Sequence, residues 1–121
     1  MKKVMSIDDS ASFRSHLADI LKGSFKVVQA QEGYDAYCKI QEIGDISVFC
    51  LDYYMPGNFN GDRVLKEIRR VKNYKKTPVV IISSAISEAL MKETEDLGVS
   101  YYLAKPVDKE KFLELIKELA G

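Results

Sequence analysis

Short apolar runs alternate with helical stripes from one end of the chain to the other, at about two dozen residues per pair, and that rhythm narrows the possible folds more than any other feature. Neighbouring parallel strands need a crossover of roughly a dozen residues or more, and each interval here is long enough for one helix and two short turns. Five such pairs fit a chain of 121 residues, which predicts a single α/β domain over residues 1–121.

The predicted strands are Lys3–Ile7, Phe25–Ala30, Ile46–Leu51, Pro78–Ile82 and Tyr101–Ala104. Ile46–Leu51 and Pro78–Ile82 are almost wholly apolar and are expected inside the sheet, covered on both faces. Phe25–Ala30 carries polar residues within the run, as an edge strand does. Between the strands, apolar residues recur at helical spacing: Phe13, Leu17, Ile20 and Leu21, then Ala36, Tyr37, Ile40 and Ile43, then Val64, Leu65, Ile68 and Val71. The last helix repeats the pattern with Phe112, Leu115, Ile116 and Leu119, whereas the fourth, spanning Ser87–Leu97, offers little beyond Leu90 and Leu97 and should be the least firmly packed.

Eighteen Lys and Arg balance 18 Asp and Glu. A neutral chain lacks the long-range attraction on which sequence-independent binding to nucleic acid or an anionic membrane relies, so neither partner is expected. The basic run Lys66, Arg69, Arg70, Lys72, Lys75 and Lys76 is interrupted by Glu67 and reads as a solvated face. His16, the one histidine, reads as a solvent-facing helical residue. No apolar run approaches the roughly 20 residues of a membrane span, and the start does not resemble a secretory signal. Cys38 and Cys50 sit in apolar stretches without CxxC spacing, as two reduced, buried thiols of a cytoplasmic protein would.

In a parallel sheet all strand C-termini lie along one rim, and ligands bind there. The first strand runs into Asp8-Asp9, the third ends at Asp52, the fourth is followed by Ser83-Ser84 and the fifth by Lys105-Pro106. Two carboxylates about 4–5 Å apart repel by roughly 3–4 kcal/mol at an effective dielectric of 20, so three together call for more cation than Lys105 alone. An oxygen-only pocket with room for waters and a phosphoryl group suits Mg2+. Any single aspartate at a strand end could merely cap the following helix, but capping gives no reason for a lysine at the fifth strand.

Ile7-Asp8-Asp9-Ser10 with Arg14, Leu51-Asp52-Tyr53-Tyr54-Met55-Pro56, Ser83-Ser84-Ala85 and Tyr102-Leu103-Ala104-Lys105-Pro106 together resemble the motifs of response-regulator receiver domains, in order and spacing over essentially the whole chain. The resemblance implies a five-stranded parallel sheet of order 2-1-3-4-5, doubly wound with five helices in the flavodoxin-like manner. It also implies that Asp52 is the phosphoacceptor, taking a phosphoryl group from a histidine kinase or histidine phosphotransfer protein. Asp9, Asp52 and the backbone carbonyl of Tyr54 would hold Mg2+, Asp8 would act mainly through a metal-bound water, and Lys105, after a cis peptide to Pro106, would pair with a phosphoryl oxygen. Ser84, preferred to its neighbour Ser83, would be the switch hydroxyl and Tyr102 the switch aromatic, with the α4-β5-α5 face signalling to a downstream effector protein.

The chain departs from the family pattern between Pro56 and Gly61, where one residue appears inserted. Tyr54 and Ile86 are bulky where the family flanks the path of the hydrolytic water, so shielding of the acyl phosphate and slow autodephosphorylation are expected. Because the chain stops where the fifth helix should finish, a stand-alone receiver, monomeric or weakly dimeric and catalysing only its own phosphorylation and dephosphorylation, is the leading expectation. A receiver excised from a larger regulator or hybrid kinase, or an unphosphorylated pseudo-receiver acting as a docking module, is the alternative. A haloacid-dehalogenase-like phosphatase would need a second aspartate where Tyr54 stands, and Asp8-Asp9 would repel the phosphate of a flavin.

Overall fold

The computed structural model describes residues 1–121. Five parallel strands, β1 (Lys3–Ile7), β2 (Lys26–Ala30), β3 (Ile46–Leu51), β4 (Val79–Ser83) and β5 (Tyr101–Ala104), form one sheet in the order β2-β1-β3-β4-β5. Helices α1 (Ala11–Leu21), α2 (Gly33–Glu42), α3 (Gly61–Arg70), α4 (Glu88–Thr94) and α5 (Lys109–Ala120) connect and follow them. Single 3-10 turns occupy Lys72–Tyr74 and Glu95–Leu97. The expected order, the five helices and the edge position of β2 are all present. Two boundaries differ by one residue: β2 begins at Lys26, not Phe25, and β4 runs Val79–Ser83, not Pro78–Ile82.

The side-chain alternation of the strands divides the core in two. Met5, Ile7, Phe49, Leu51, Val79 and Ile81 face α2 and α3, whereas Val4, Val48, Cys50, Val80 and Ile82 face α1 and α5. Residues on β1, β3 and β4 are covered on both faces, which is why these runs are apolar without a polar alternation.

Each helix starts at a side chain that accepts from an amide three residues on. Ser10 takes Phe13 N, Glu32 takes Asp35 N, Asn60 takes Arg63 N, Ser87 takes Leu90 N and Asp108 takes Lys111 N. Each cap satisfies one otherwise orphaned donor, a contribution of about 1 kcal/mol, and fixes where the chain leaves the rim. As expected, α4 is the weakest helix: seven residues long, it buries only Leu90 and Thr94.

Two expectations are corrected. Arg69 is not part of a solvated face: half-buried, its guanidinium donates to the carbonyls of Leu97, Tyr74, Thr77 and Gly98 at 2.7–3.1 Å. These loops have no regular partners for their carbonyls, and one planar fork satisfies four of them, tying α3 to the segment that leads into β4 and to the end of the α4–β5 connection. Cys38 is only half-buried, whereas burial pushes the Cys50 thiol up to about 12, and both are free thiols. No helix is long and apolar enough to cross a membrane.

Candidate functional site

The backbone ladder carries the aspartates to the rim. Asp8 N, just past β1, donates to Ala30 O at 3.1 Å, and Asp52 N, just past β3, donates to Ile7 O at 2.9 Å. Both residues are thereby held in the sheet's register although neither is counted in a strand. Asp8, Asp9 and Asp52 present carboxylate oxygens that all lie within 4.8 Å of one another, Asp8 and Asp52 buried and Asp9 exposed.

Asp8 is well supplied with donors. Its Oδ1 accepts from Ser10 N at 2.8 Å, its Oδ2 from Lys105 Nζ at 2.8 Å, and its backbone carbonyl from Arg14 Nη1 at 2.6 Å. Asp52 is less well supplied: Oδ1 accepts from Tyr54 N at 3.2 Å, and Oδ2 lies 3.7 Å from Lys105 Nζ, an ion contact beyond hydrogen-bond range. Burial, followed by repulsion from Asp8, raises the Asp52 carboxyl from 3.8 to about 6, with Lys105 and the Tyr54 amide pulling the other way. The lysine therefore sits with the wrong aspartate for full compensation of Asp52, and the rim retains excess negative charge. An all-oxygen donor set with that excess fits a hard divalent cation.

Lys105 reaches this position from β5, where its amide donates to Ser83 O at 2.9 Å and its peptide to Pro106 is cis. Ser83 is the last residue of β4, buried, and its Oγ accepts from Ala85 N at 3.3 Å. Ser84, the expected hydroxyl, lies one residue past the strand with its side chain in solvent. Tyr102 is half-buried on edge strand β5, and its hydroxyl meets Thr94 Oγ1, which in turn donates to Leu90 O at 2.9 Å. The Thr94 contact was not foreseen, because a threonine on a weak helical stripe carries no signal of its own.

The β3–α3 loop closes one side of the site. Gly61 must be glycine here, since a Cβ would stand 2.4 Å from the Tyr53 backbone, and Gly61 N donates to Tyr53 O at 3.0 Å. A cleft of about 560 Å3 opens beside Asp9, lined by Tyr54, Met55, Asn60, Asp62 and Glu93. Tyr54 is 54% exposed at its mouth, whereas Ile86 is half-buried against the core on the α2–α3 side.

A doubly wound sheet with paired acids past β1, a buried acid past β3 and a lysine past β5 places a charged ligand site at the rim where such α/β domains bind their ligands. The model of the response regulator receiver domain matches residues 4–117, and the chain belongs to that family, the receivers of two-component signalling. It is 26% identical over 121 residues to a chemotaxis protein CheY homolog of Campylobacter jejuni, covering 98% of this chain and 92% of the relative. Among solved structures, the chemotaxis protein CheY4 of Vibrio cholerae superposes with a TM-score of 0.91 at 28% identity, over 98% of each chain. The receiver domain of a Pseudomonas aeruginosa sensor histidine kinase, with a magnesium ion coordinated in its active-site cleft, shares the fold at a TM-score of 0.86 and 16% identity, over 99% of this chain and 98% of that one.

Proposed function

We propose that Asp52 accepts a phosphoryl group from the phosphohistidine of a histidine kinase or histidine phosphotransfer protein, and that the result is read by a downstream effector protein on the α4-β5-α5 face. The observation that carries this reading is the placement of a buried carboxylate at the end of the central strand, with one ammonium and two further carboxylates around it. One Asp52 oxygen forms a bond to phosphorus as the P–N bond to the donor breaks. The bonding pair stays with the ring, which leaves as neutral imidazole because its other nitrogen already carries a proton.

Asp9, Asp52 and the Tyr54 carbonyl would hold Mg2+, with Asp8 contributing through water. The bound ion supplies positive charge to the oxygens of the transferring group, as the magnesium in the sensor-kinase neighbour's cleft suggests for its own site. Lys105 keeps donor capacity beyond its one bond to Asp8, and that capacity is available to a phosphoryl oxygen. Of the two serines, Ser83 has the better claim to the switch hydroxyl: it ends β4 and its carbonyl holds the amide of Lys105. We place the protein in the cytoplasm, where Cys38 and Cys50 would stay reduced, as a monomer or weak dimer that catalyses only its own phosphorylation and dephosphorylation.

The test is intact-mass analysis after incubation with Mg2+ and acetyl phosphate. One phosphoryl increment is expected in the native protein and none in Asp52→Asn, and Ser83→Ala should slow the reaction more than Ser84→Ala. An unmodified native protein would favour the pseudo-receiver reading, and undiminished modification of Asp52→Asn would overturn the acceptor assignment.

A further inference from the structure

Phe13 belongs to the apolar stripe of α1, yet it is only half-buried, and its ring faces the rim. Ser10 Oγ accepts from Phe13 N at 3.2 Å and so fixes the first turn of α1, while Arg14 anchors the same turn to the Asp8 carbonyl at 2.6 Å. The ring held in this way lies with its centroid 4.2 Å from Lys105 Nζ. That ammonium is thus bounded by Asp8 Oδ2 at 2.8 Å, Asp52 Oδ2 at 3.7 Å and an aromatic face.

We infer that Phe13 is a positioning residue for phosphoryl transfer, its ring holding the Lys105 ammonium beside Asp52 by a cation–π interaction. A lysine has four flexible carbons and a strongly hydrated head, so a single hydrogen bond to Asp8 leaves it free to swing into water. The negative face of the ring attracts the charge from another side and accepts no conventional hydrogen bond from it. The ammonium is restrained while its remaining donors stay available to an incoming phosphoryl oxygen, and holding a charge in place before the reaction is how such groups lower a barrier. A bystander ring that only packs against the lysine stem would restrain the stem equally well as any apolar residue of similar size.

The inference rests on the reading of Asp52 as acceptor, and the experiment separates the two. Phe13→Leu keeps an apolar side chain and removes the π face; Phe13→Trp restores one; Phe13→Met is the second apolar replacement should the leucine variant lose its cooperative melt. In the native protein the Lys105 ε-methylene protons should be displaced upfield by the ring current, a displacement lost in Phe13→Leu or Phe13→Met and regained in Phe13→Trp. Modification by acetyl phosphate with Mg2+ should slow about fivefold in the apolar variants and recover in the tryptophan variant, the size expected of a partly desolvated cation–π contact. Lys105 protons resonating with those of solvent-exposed lysines, or apolar variants reacting at the native rate, would overturn the inference while leaving the acceptor reading intact. A native protein that takes up no phosphoryl group would remove both.

Discussion

β3 has a hydrogen-bonded neighbour on each side, buries almost every residue and delivers Asp52 to the rim; β5 has one neighbour, four residues and a Tyr101 that is 50% exposed. The helices differ in the same way. α3 buries Gly61, Val64, Leu65 and Ile68, whereas α4 buries two side chains and ends in a 3-10 turn. Phosphoryl transfer is sensitive to small displacements of its charged groups, and those groups past β1 and β3 stand on the part of the sheet least able to move. A signal must alter a surface at small free-energy cost, and Tyr102 stands where few buried contacts oppose a change. Lys105 bridges the two regions, rooted beside Ser83 on the edge strand with its charge at the centre.

The largest effect that could break this comparison is on stability. Ile81, fully buried in β4, should cost about 3–4 kcal/mol when truncated to alanine, because the surrounding side chains cannot collapse into the space. Tyr101→Ala on β5 should change stability by no more than about 0.5 kcal/mol. Urea melts of the two variants check both values, and equal losses would mean that the edge is as firmly built as the centre.

The second effect isolates the charge excess at the centre. Asp52 has its folded-state value raised to about 6 from 3.8, so between those two the folded protein binds more protons than the unfolded chain. In that window stability from this group falls as pH rises, and above about 6 the full penalty is present. Without metal, Asp52→Asn should therefore melt on the order of 3–6 °C above the native protein at pH 7, with the gap closing as pH falls towards 4. Millimolar Mg2+ should raise the native melting temperature and leave the variant nearly unchanged. A variant that melts lower than the native protein in chelator at pH 7 would contradict the excess of negative charge.

The aspartates and the lysine were legible because each apolar strand stops against a charge: Ile7 before Asp8, Leu51 before Asp52, Ala104 before Lys105. β4 offers no such contrast. Ile82 is followed by two serines, residues indifferent enough to burial that the sequence places the strand end one position too early. Arg69 lay in a basic run and read as solvated, since its four carbonyl partners occupy loops that no periodicity addresses. Phe13 was correctly read as an apolar stripe residue, but a stripe says nothing about which charge will meet the ring's other face. Contacts that depend on where distant segments end up, such as Lys105 choosing Asp8 over Asp52, require the assembled sheet.

The smallest effect probes the edge alone. Thr94 is fully buried, its hydroxyl donates to Leu90 O, and its remaining oxygen lone pair receives the Tyr102 hydroxyl, so a single side chain joins the last turn of α4 to β5. Thr94→Val keeps the shape and removes both bonds. Tyr102 is only half-buried, so water can take over its hydroxyl, and the cost should be about 1 kcal/mol. If α4 and β5 form a locally opening unit, that loss will appear there: amide exchange in α4 and β5 should speed about fivefold while β1 and β3 stay protected as before. Phosphorylation of Asp52 should proceed at close to its native rate, because none of the carboxylates touches Thr94. Exchange that accelerates equally in β3 would show that centre and edge open together, and the division between a rigid chemical region and a yielding reporting edge would then have to be given up.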